Sequence, residues 1–228
     1  MVVIPAHNEA KRLSGCLKAA LAAARRLPGP VMTIVVLDAC SDHSAQVARR
    51  FGPAVQVLSV DERNVGAARA AGFDHARAIW PATATWYATT DADSCVDSDW
   101  LTRQIAANAD MVLGVVRITN WRHVSTSAAL RYLHRYWSRT RSDGDHDHIH
   151  GANMGFAAEK YWESGGFAPL ASGEDVDLVR RFERSGYRIV RDAGLSVATS
   201  ARPDGRAPDG FAAHLRSVAR RRGAQDIA

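Results

Sequence analysis

The chain has 228 residues, of which 46% are hydrophobic and 23% charged, a composition that excludes a disordered chain and allows one sizeable core or two very small ones. Its net charge is +5, and of its 29 basic residues only Lys11, Lys18 and Lys160 are lysines. No apolar run reaches the roughly 20 residues of a membrane-spanning helix. The three widely spaced cysteines, Cys16, Cys40 and Cys95, exclude a disulfide scaffold. The expected setting is reducing and cytoplasmic, and the strand-like run from Val2 leaves no room for a leader peptide.

The first hundred residues alternate between two periodicities. Val2-Val3-Ile4 is a short strand-like run that Pro5 is expected to end, and a helix is predicted from about Glu9 to Arg26, stopped by Pro28-Gly29-Pro30. Val31 to Leu37 is continuous and β-branched, the pattern of a strand buried on both faces. A helix is predicted over about 44–51, a strand over 55–60, a helix over 64–79 and a strand over 85–90. Repeated strand–helix units imply a parallel sheet covered on both faces, with ligands beyond the carboxyl ends of the strands. The polar clusters Pro5-Ala6-His7-Asn8-Glu9, Asp38 to Asp42 and Asp91-Ala92-Asp93 all fall there. The second half is less regular. A strand is predicted over about 110–116, an aromatic-rich helix over 121–139, a mobile polar loop over 141–150, and helices over 174–185 and 211–222. No repeat or linker interrupts the chain.

Asp-x-Asp occurs five times, so the pattern alone says little. Asp91-Ala92-Asp93 differs from the rest because it directly follows the apolar run Trp86 to Thr90. A tight turn there could aim two carboxylates into the crevice, to hold a hard divalent cation and sugar-diphosphate oxygens; the alternative is that Asp93 or Ser94 merely caps the turn. Asp97-Ser98-Asp99 reads as the cap of a helix containing Trp100 and Leu101. Asp143 to Asp147 begins like a calcium loop but has His148 and Met154 where that loop needs Gly and Glu. His146, His148 and His150 lack a cysteine pair, which argues against structural zinc. They are either a solvated loop or a loop contributing His148 or His150 to a metal or an acceptor.

Taken in order, these segments resemble family 2 glycosyltransferases of the GT-A fold. The carrying residues are Val2 to Glu9, Asp38 to Asp42, Asn64-Val65-Gly66-Ala67-Ala68-Arg69, Asp91-Ala92-Asp93, Gly151-Ala152-Asn153-Met154-Gly155, Gly165-Gly166-Phe167 and Gly173-Glu174-Asp175. The resemblance implies one GT-A domain over residues 1–228, with a mixed, mainly parallel sheet. Residues 1–93 would form a Rossmann-like nucleotide-binding half and 94–228 an acceptor-binding half.

It further implies transfer of a sugar from a nucleotide-diphosphate sugar to an acceptor hydroxyl with inversion, a UDP-sugar being favoured, assisted by Mn2+ or Mg2+. Pro5, Ala6 and Glu9 match the segment touching the nucleoside, Asp38 the aspartate reading the base, and Arg69 a basic residue near the diphosphate. Asp91 and Asp93 match the Asp-x-Asp motif, with Asp93 the direct metal ligand. Asp175 matches the catalytic base, with Glu174 orienting it or binding acceptor. Two features depart from the family. Leu37 stands where a first acid often precedes Asp38, and 196–202 lacks the histidine that often completes the metal site, leaving His214, His148, His150 or water.

The Arg-bearing stretch 200–208 reads as a lid or a plain loop. Arg216, Arg220, Arg221 and Arg222 suggest contact with anionic lipid at the inner membrane face, which would suit a lipid-linked acceptor, or else a solvated helix end. Rival readings are a non-catalytic nucleotide-sugar binder, a nucleotidyltransferase and a nucleic-acid binder. The last is disfavoured because the basic residues are dispersed and carry no recognition motif.

Overall fold

The computed structural model describes residues 1–79, 85–119, 121, 125–141 and 144–199. The predicted lid over 200–208, the helix over 211–222 and His214 lie outside them.

In chain order the elements are β1 (Val2–Ala6), α1 (Leu13–Ala24), β2 (Thr33–Asp38), α2 (Ser44–Arg49), β3 (Gln56–Val60), α3 (Val65–Ile79) and β4 (Trp86–Thr89). There follow α4 (Trp100–Ala106), β5 (Met111–Ile118), α5 (Thr126–Trp137), β6 (Met154–Ala157), α6 (Ala158–Glu163), α7 (Glu174–Arg184) and β7 (Ile189–Thr199). The strands form one seven-stranded sheet in the order β3-β2-β1-β4-β6-β5-β7. β3, β2, β1 and β4 are mutually parallel; β6 runs antiparallel to both β4 and β5, and β7 is parallel to β5. The fold is thus the mixed, mainly parallel α/β sheet expected.

The period-2 alternation of strands sorts the core onto two faces. Val2, Ile4, Val35 and Leu37 face α1, α2 and α4, meeting Leu13, Leu17, Ala48, Trp100 and Leu101. Val3, Ile34 and Val36 face α3, α6 and α7, meeting Phe73, Tyr161, Leu178 and Phe182. Gly72 lets α3 approach the sheet closely, since a Cβ there would lie 2.4 Å from Val3 Cγ1. Phe73 fills the same interface, its ring 4.8 Å from Tyr87 and 4.9 Å from Tyr161, centroid to centroid.

Three expectations are corrected. β1 does not end at Pro5 but runs to Ala6. The Val2 N–H points to β2, where it meets the Met32 carbonyl, so alternation aims the side of residue 5 that lacks an N–H toward β4. Pairing with β4 stops at Val3, and nothing in that ladder is lost. Second, Asp99 occupies the N-cap position of α4 but makes no side-chain cap bond, and Asp97 instead pairs with Arg117 at 2.8 Å.

Third, the stretch 141–150 is not a solvated loop in its described part. His146 and His148 are buried, and with Val115, Val116, Tyr132 and Tyr136 they build a small layered cluster beneath α5. The Tyr136 and His148 rings stack at 3.9 Å. His148 donates from Nε2 to the Tyr136 carbonyl, at 3.0 Å. His146 Nδ1 accepts the His148 amide, which leaves its Nε2–H to donate to the Leu113 carbonyl, at 3.2 Å. Burial pulls the His148 imidazole down to about 4 and lowers that of His146 as well.

Candidate active site

The carboxyl ends of β2, β1 and β4 lie side by side on one edge of the sheet, and the loops leaving β1 and β2 are locked together. Asn8 holds a left-handed backbone at φ 53° and accepts, through Oδ1, the amides of Ser41 at 2.7 Å and Asp42 at 3.1 Å. In return Asp42 Oδ2 accepts the Ala10 amide, and Ser44 Oγ accepts the Glu9 amide. His7 donates to the Asp38 carbonyl at 2.7 Å, and the Cys40 thiol reaches the Ala6 carbonyl at 3.2 Å. Pro5, Ala6 and Glu9 are buried in this wall.

Asp38 is buried at the end of β2. Its Oδ1 accepts the amides of Glu62 and Arg63 and its Oδ2 that of Asn64, at 2.7, 2.8 and 2.9 Å. The carboxylate organises the turn into α3. Asn64 then opens that helix by accepting the Ala67 amide. Gly66 sits against the Ala168–Leu170 backbone, where a Cβ would lie 2.1 Å from a carbonyl oxygen.

Arg69 projects from α3 and is 2% exposed. It binds the Asp91 carboxylate through Nη2 at 2.7 Å and the Glu174 carboxylate through Nη1, with the Phe167 ring beneath it at 5.6 Å. Burial pulls the guanidinium pKa down, but the charges of Glu174, Asp91 and Asp175 outweigh it and raise the pKa above its ordinary value. Burial pushes the Glu174 carboxyl up, and the charges of Asp175 and Asp91 add to this against the pull of Arg69. Arg69 therefore reaches the expected diphosphate region through Asp91, its Nη1 and Nη2 being turned to carboxylates.

Asp91-Ala92-Asp93 forms the turn after β4, closed by the Ser94 amide on the Asp91 carbonyl. The Asp91 side chain is 41% exposed despite its bond to Arg69, and Asp93 is partly exposed. The end of β7 abuts this turn through a Ser94–Thr199 hydroxyl bond of 2.9 Å and a Cys95–Ala198 bridge. Asp175 lies in the first turn of α7, whose N-cap is Gly173 at φ 77°. It accepts the Gly151 amide at 2.8 Å through Oδ2 and the Val176 amide through Oδ1. The structure thus brings Arg69, Asp91, Glu174 and Asp175 into one connected cluster.

The turn's two carboxylates are hard oxygen donors of the kind small divalent cations take. Among the described residues no group of three His, Cys, Asp or Glu is arranged to hold a metal. His148 is committed inside the α5 cluster. His150 lies near Tyr136, whose hydroxyl accepts the Val116 amide and bonds His150 Nε2 at 3.1 Å.

One residue of consequence carried no role in the sequence reading. Asn153 is fully buried, takes the Trp100 indole N–H at 2.8 Å, and donates to the Val115 and Leu195 carbonyls, each at 2.8 Å. The β5–β7 register breaks between Gly114 and Val115. Asn153 satisfies the carbonyls that this break leaves without ladder partners. Its place in Gly151-Ala152-Asn153-Met154-Gly155 was the available signal.

A parallel nucleotide-type half, an antiparallel β6 and acids gathered at the strand ends together define a GT-A glycosyltransferase. Residues 1–163 match the family described as Glycosyl transferase family 2, and the chain belongs to that family. Its fold is similar to that of S. aureus TarS 1-349 in complex with UDP-GlcNAc, at TM-score 0.64 and 15% identity, covering 96% of this chain and 64% of that one. It is also similar to the mannosyltransferase PcManGT from Pyrobaculum calidifontis in complex with GDP-Man and Mn2+, at TM-score 0.69 and 19% identity, covering 90% of this chain and 57% of that one. The chain therefore spans less than two thirds of either neighbour. No curated protein sequence matches it.

Proposed function

We propose that this glycosyltransferase moves a sugar from a nucleotide-diphosphate sugar to an acceptor hydroxyl with inversion. A single observation carries the reading: Arg69 joins Asp91 of the turn after β4 to Glu174, the neighbour of Asp175, so that donor-side and base-side acids share one site. UDP-GlcNAc in one structural neighbour and GDP-Man in the other support a nucleotide-sugar donor. A UDP-sugar remains the favoured donor. Residues 1–93 would supply the donor half and 94–228 the acceptor half of a single domain.

Pro5, Ala6 and Glu9 would form the wall against the nucleoside, with Asp38 shaping the turn beneath the base. Asp91 and Asp93 would hold Mn2+ or Mg2+, Asp93 most directly, and Mn2+ in the PcManGT complex supports this. Such an ion, when bound, supplies Lewis-acid stabilisation of the charge that develops on the leaving diphosphate. Arg69 would hold Asp91 in place and offset the acid cluster's repulsion.

Asp175 would take the acceptor proton as the acceptor oxygen attacks the anomeric carbon. Each of its oxygens accepts one backbone N–H and keeps a second lone pair for that proton. The bond from the anomeric carbon to the diphosphate breaks on the opposite face, its electron pair leaving with the diphosphate. The acceptor is proposed to be lipid-linked and reached from the inner membrane face. Among the described residues no helix is long and apolar enough to cross a membrane.

The test is thermal melting against UDP-, GDP- and dTDP-sugars, with and without Mn2+, for the wild type and Asp93→Ala. A donor at a hundred times its dissociation constant adds roughly 2.7 kcal/mol, a shift of about 5–10 °C for a chain of this size. A Mn2+-dependent shift with one donor, lost in Asp93→Ala, supports the assignment. Equal shifts in both proteins, or none with any donor, overturn the metal site as drawn.

A further inference from the structure

The helix α5 carries two apolar stripes. Ala128, Tyr132 and Tyr136, at spacings of four, face the core and are buried. Leu130 and Trp137, at i and i+7, with His134 between them, lie on the other side, while Leu133 is half-buried and packs on the core cluster from the flank. Leu130 is 62% exposed and Trp137 47% exposed, which makes them the two most exposed large hydrophobics among the described residues. An ordinary surface helix carries polar groups on that face.

The stretch of sequence that carries this stripe has charge of one sign. From Met111 to Ser142 the sequence contains no Asp or Glu, but it contains Arg117, Arg122, Arg131, Arg135, Arg139 and Arg141. Arg117 is paired with Asp97, and Arg141 with Asp145 and Asp147. Among the described residues, Arg131 and Arg135 on α5 have no ion-pair partner. The helix therefore exposes Leu130 and Trp137, with the uncompensated Arg131 and Arg135 on the flank between that side and the core-facing stripe.

We propose that this face of α5 docks on an anionic lipid bilayer. Leu130 and Trp137 would enter the headgroup boundary, and Arg131 and Arg135 would meet lipid phosphates. The same charge argues against two other occupants. A second copy would bring an equally basic face. The chain's own residues 201–228 hold six Arg against three Asp and would be repelled. The docking surface stands independently of the proposed reaction; only its consequence for the acceptor rests on that reading. The core-facing stripe leads straight to the site: Tyr136 bonds His150, and the next residue, Gly151, donates to Asp175. A docked α5 would thus hold the catalytic carboxylate close to a lipid-borne acceptor hydroxyl.

The test is sedimentation of the full chain with vesicles of phosphatidylcholine alone, or with 30% phosphatidylglycerol as an order-of-magnitude physiological anionic fraction. The wild type should partition at least tenfold more strongly onto the anionic vesicles and lose most of that at high salt. Leu130→Glu/Trp137→Glu should abolish it, and Arg131→Gln/Arg135→Gln should weaken it several-fold. Arg220→Gln/Arg221→Gln/Arg222→Gln should keep most of it. Equal binding to both vesicles overturns the proposal, as does loss only in the residue 220–222 variant. No binding by a wild type that still shows its donor-dependent melting shift overturns docking while leaving the reaction intact. A dimer in sedimentation velocity that Leu130→Glu/Trp137→Glu dissociates would make the face a self-association surface instead.

Discussion

Gly151 and Arg69 are packed together because residue 151 has no side chain: a Cβ there would lie 2.5 Å from Nη2 and 2.7 Å from Cζ of the guanidinium. The Gly151 amide, 2.8 Å from Asp175, is fixed by the same contact. Gly151→Ala should therefore displace both groups at once. Turnover should drop by about 10²-fold, the usual effect of a roughly 1 Å misplacement. Steady-state kinetics beside a melting curve would check it, and an unchanged turnover would disconnect Gly151 from the site.

Removing Arg69 leaves Glu174 buried without its cation. Arg69→Met should cost about 3–5 kcal/mol, as loss of one partner of a buried pair does. Glu174→Gln added to it should recover about 1 kcal/mol or more, since the two residues are directly coupled. Urea unfolding of the two single variants and the double variant measures this. Strict additivity would mean that the pair is not formed.

Asp175→Asn separates chemistry from binding. If Asp175 is the proposed base, its loss should lower turnover about 10²–10⁴-fold. Donor affinity, followed by the melting shift, should stay within about twofold if Asp175 serves the acceptor as proposed. Full turnover in this variant would assign the base elsewhere.

The α5 cluster makes stability acid-sensitive. A free histidine titrates near 6.5 and His148 in the fold near 4, so the unfolded chain takes up the proton first. The stabilisation present above pH 6.5 should fall as the pH drops toward 4, by up to about 1.4 kcal/mol per pH unit. His146 shifts in the same direction and adds to the slope. In His148→Phe, which keeps the stacking on Tyr136, the melting temperature should decline less between pH 6.5 and 4.5.

Asn153→Ala would strand the Trp100 indole N–H and the Val115 and Leu195 carbonyls in the core. With each unmade bond worth about 1–3 kcal/mol, partly offset by relaxation, a loss of roughly 3–5 kcal/mol is expected. Denaturant unfolding would report it, and a loss under about 1 kcal/mol would show that the register break tolerates open carbonyls.

The parallel half was legible because its signals are local. Val2 to Ile4 and Val31 to Leu37 announce buried strands, and Asp91-Ala92-Asp93 stands out by following one. The second half was less so. β6 is four residues long and lies inside a glycine-containing motif, too short for any period to show. β7 contains the break opposite Gly114 and Val115, which destroys alternation. The burial of His146 and His148 depends on Tyr136 and Leu113, which are distant enough in sequence that a polar run looked solvated. Arg69 was found as a residue but not as a bridge, since Glu174 lies 105 positions away.

The mutual locking of the β1 and β2 loops by Asn8, Asp42 and Ser44 has a kinetic side. On the proposed assignment, a nucleotide arriving at that wall would meet a surface whose amides of Glu9, Ala10, Ser41 and Asp42 are already bonded, so little of it would have to freeze. Donor capture there should be limited by encounter and orientation, with no slow ordering phase in a stopped-flow trace.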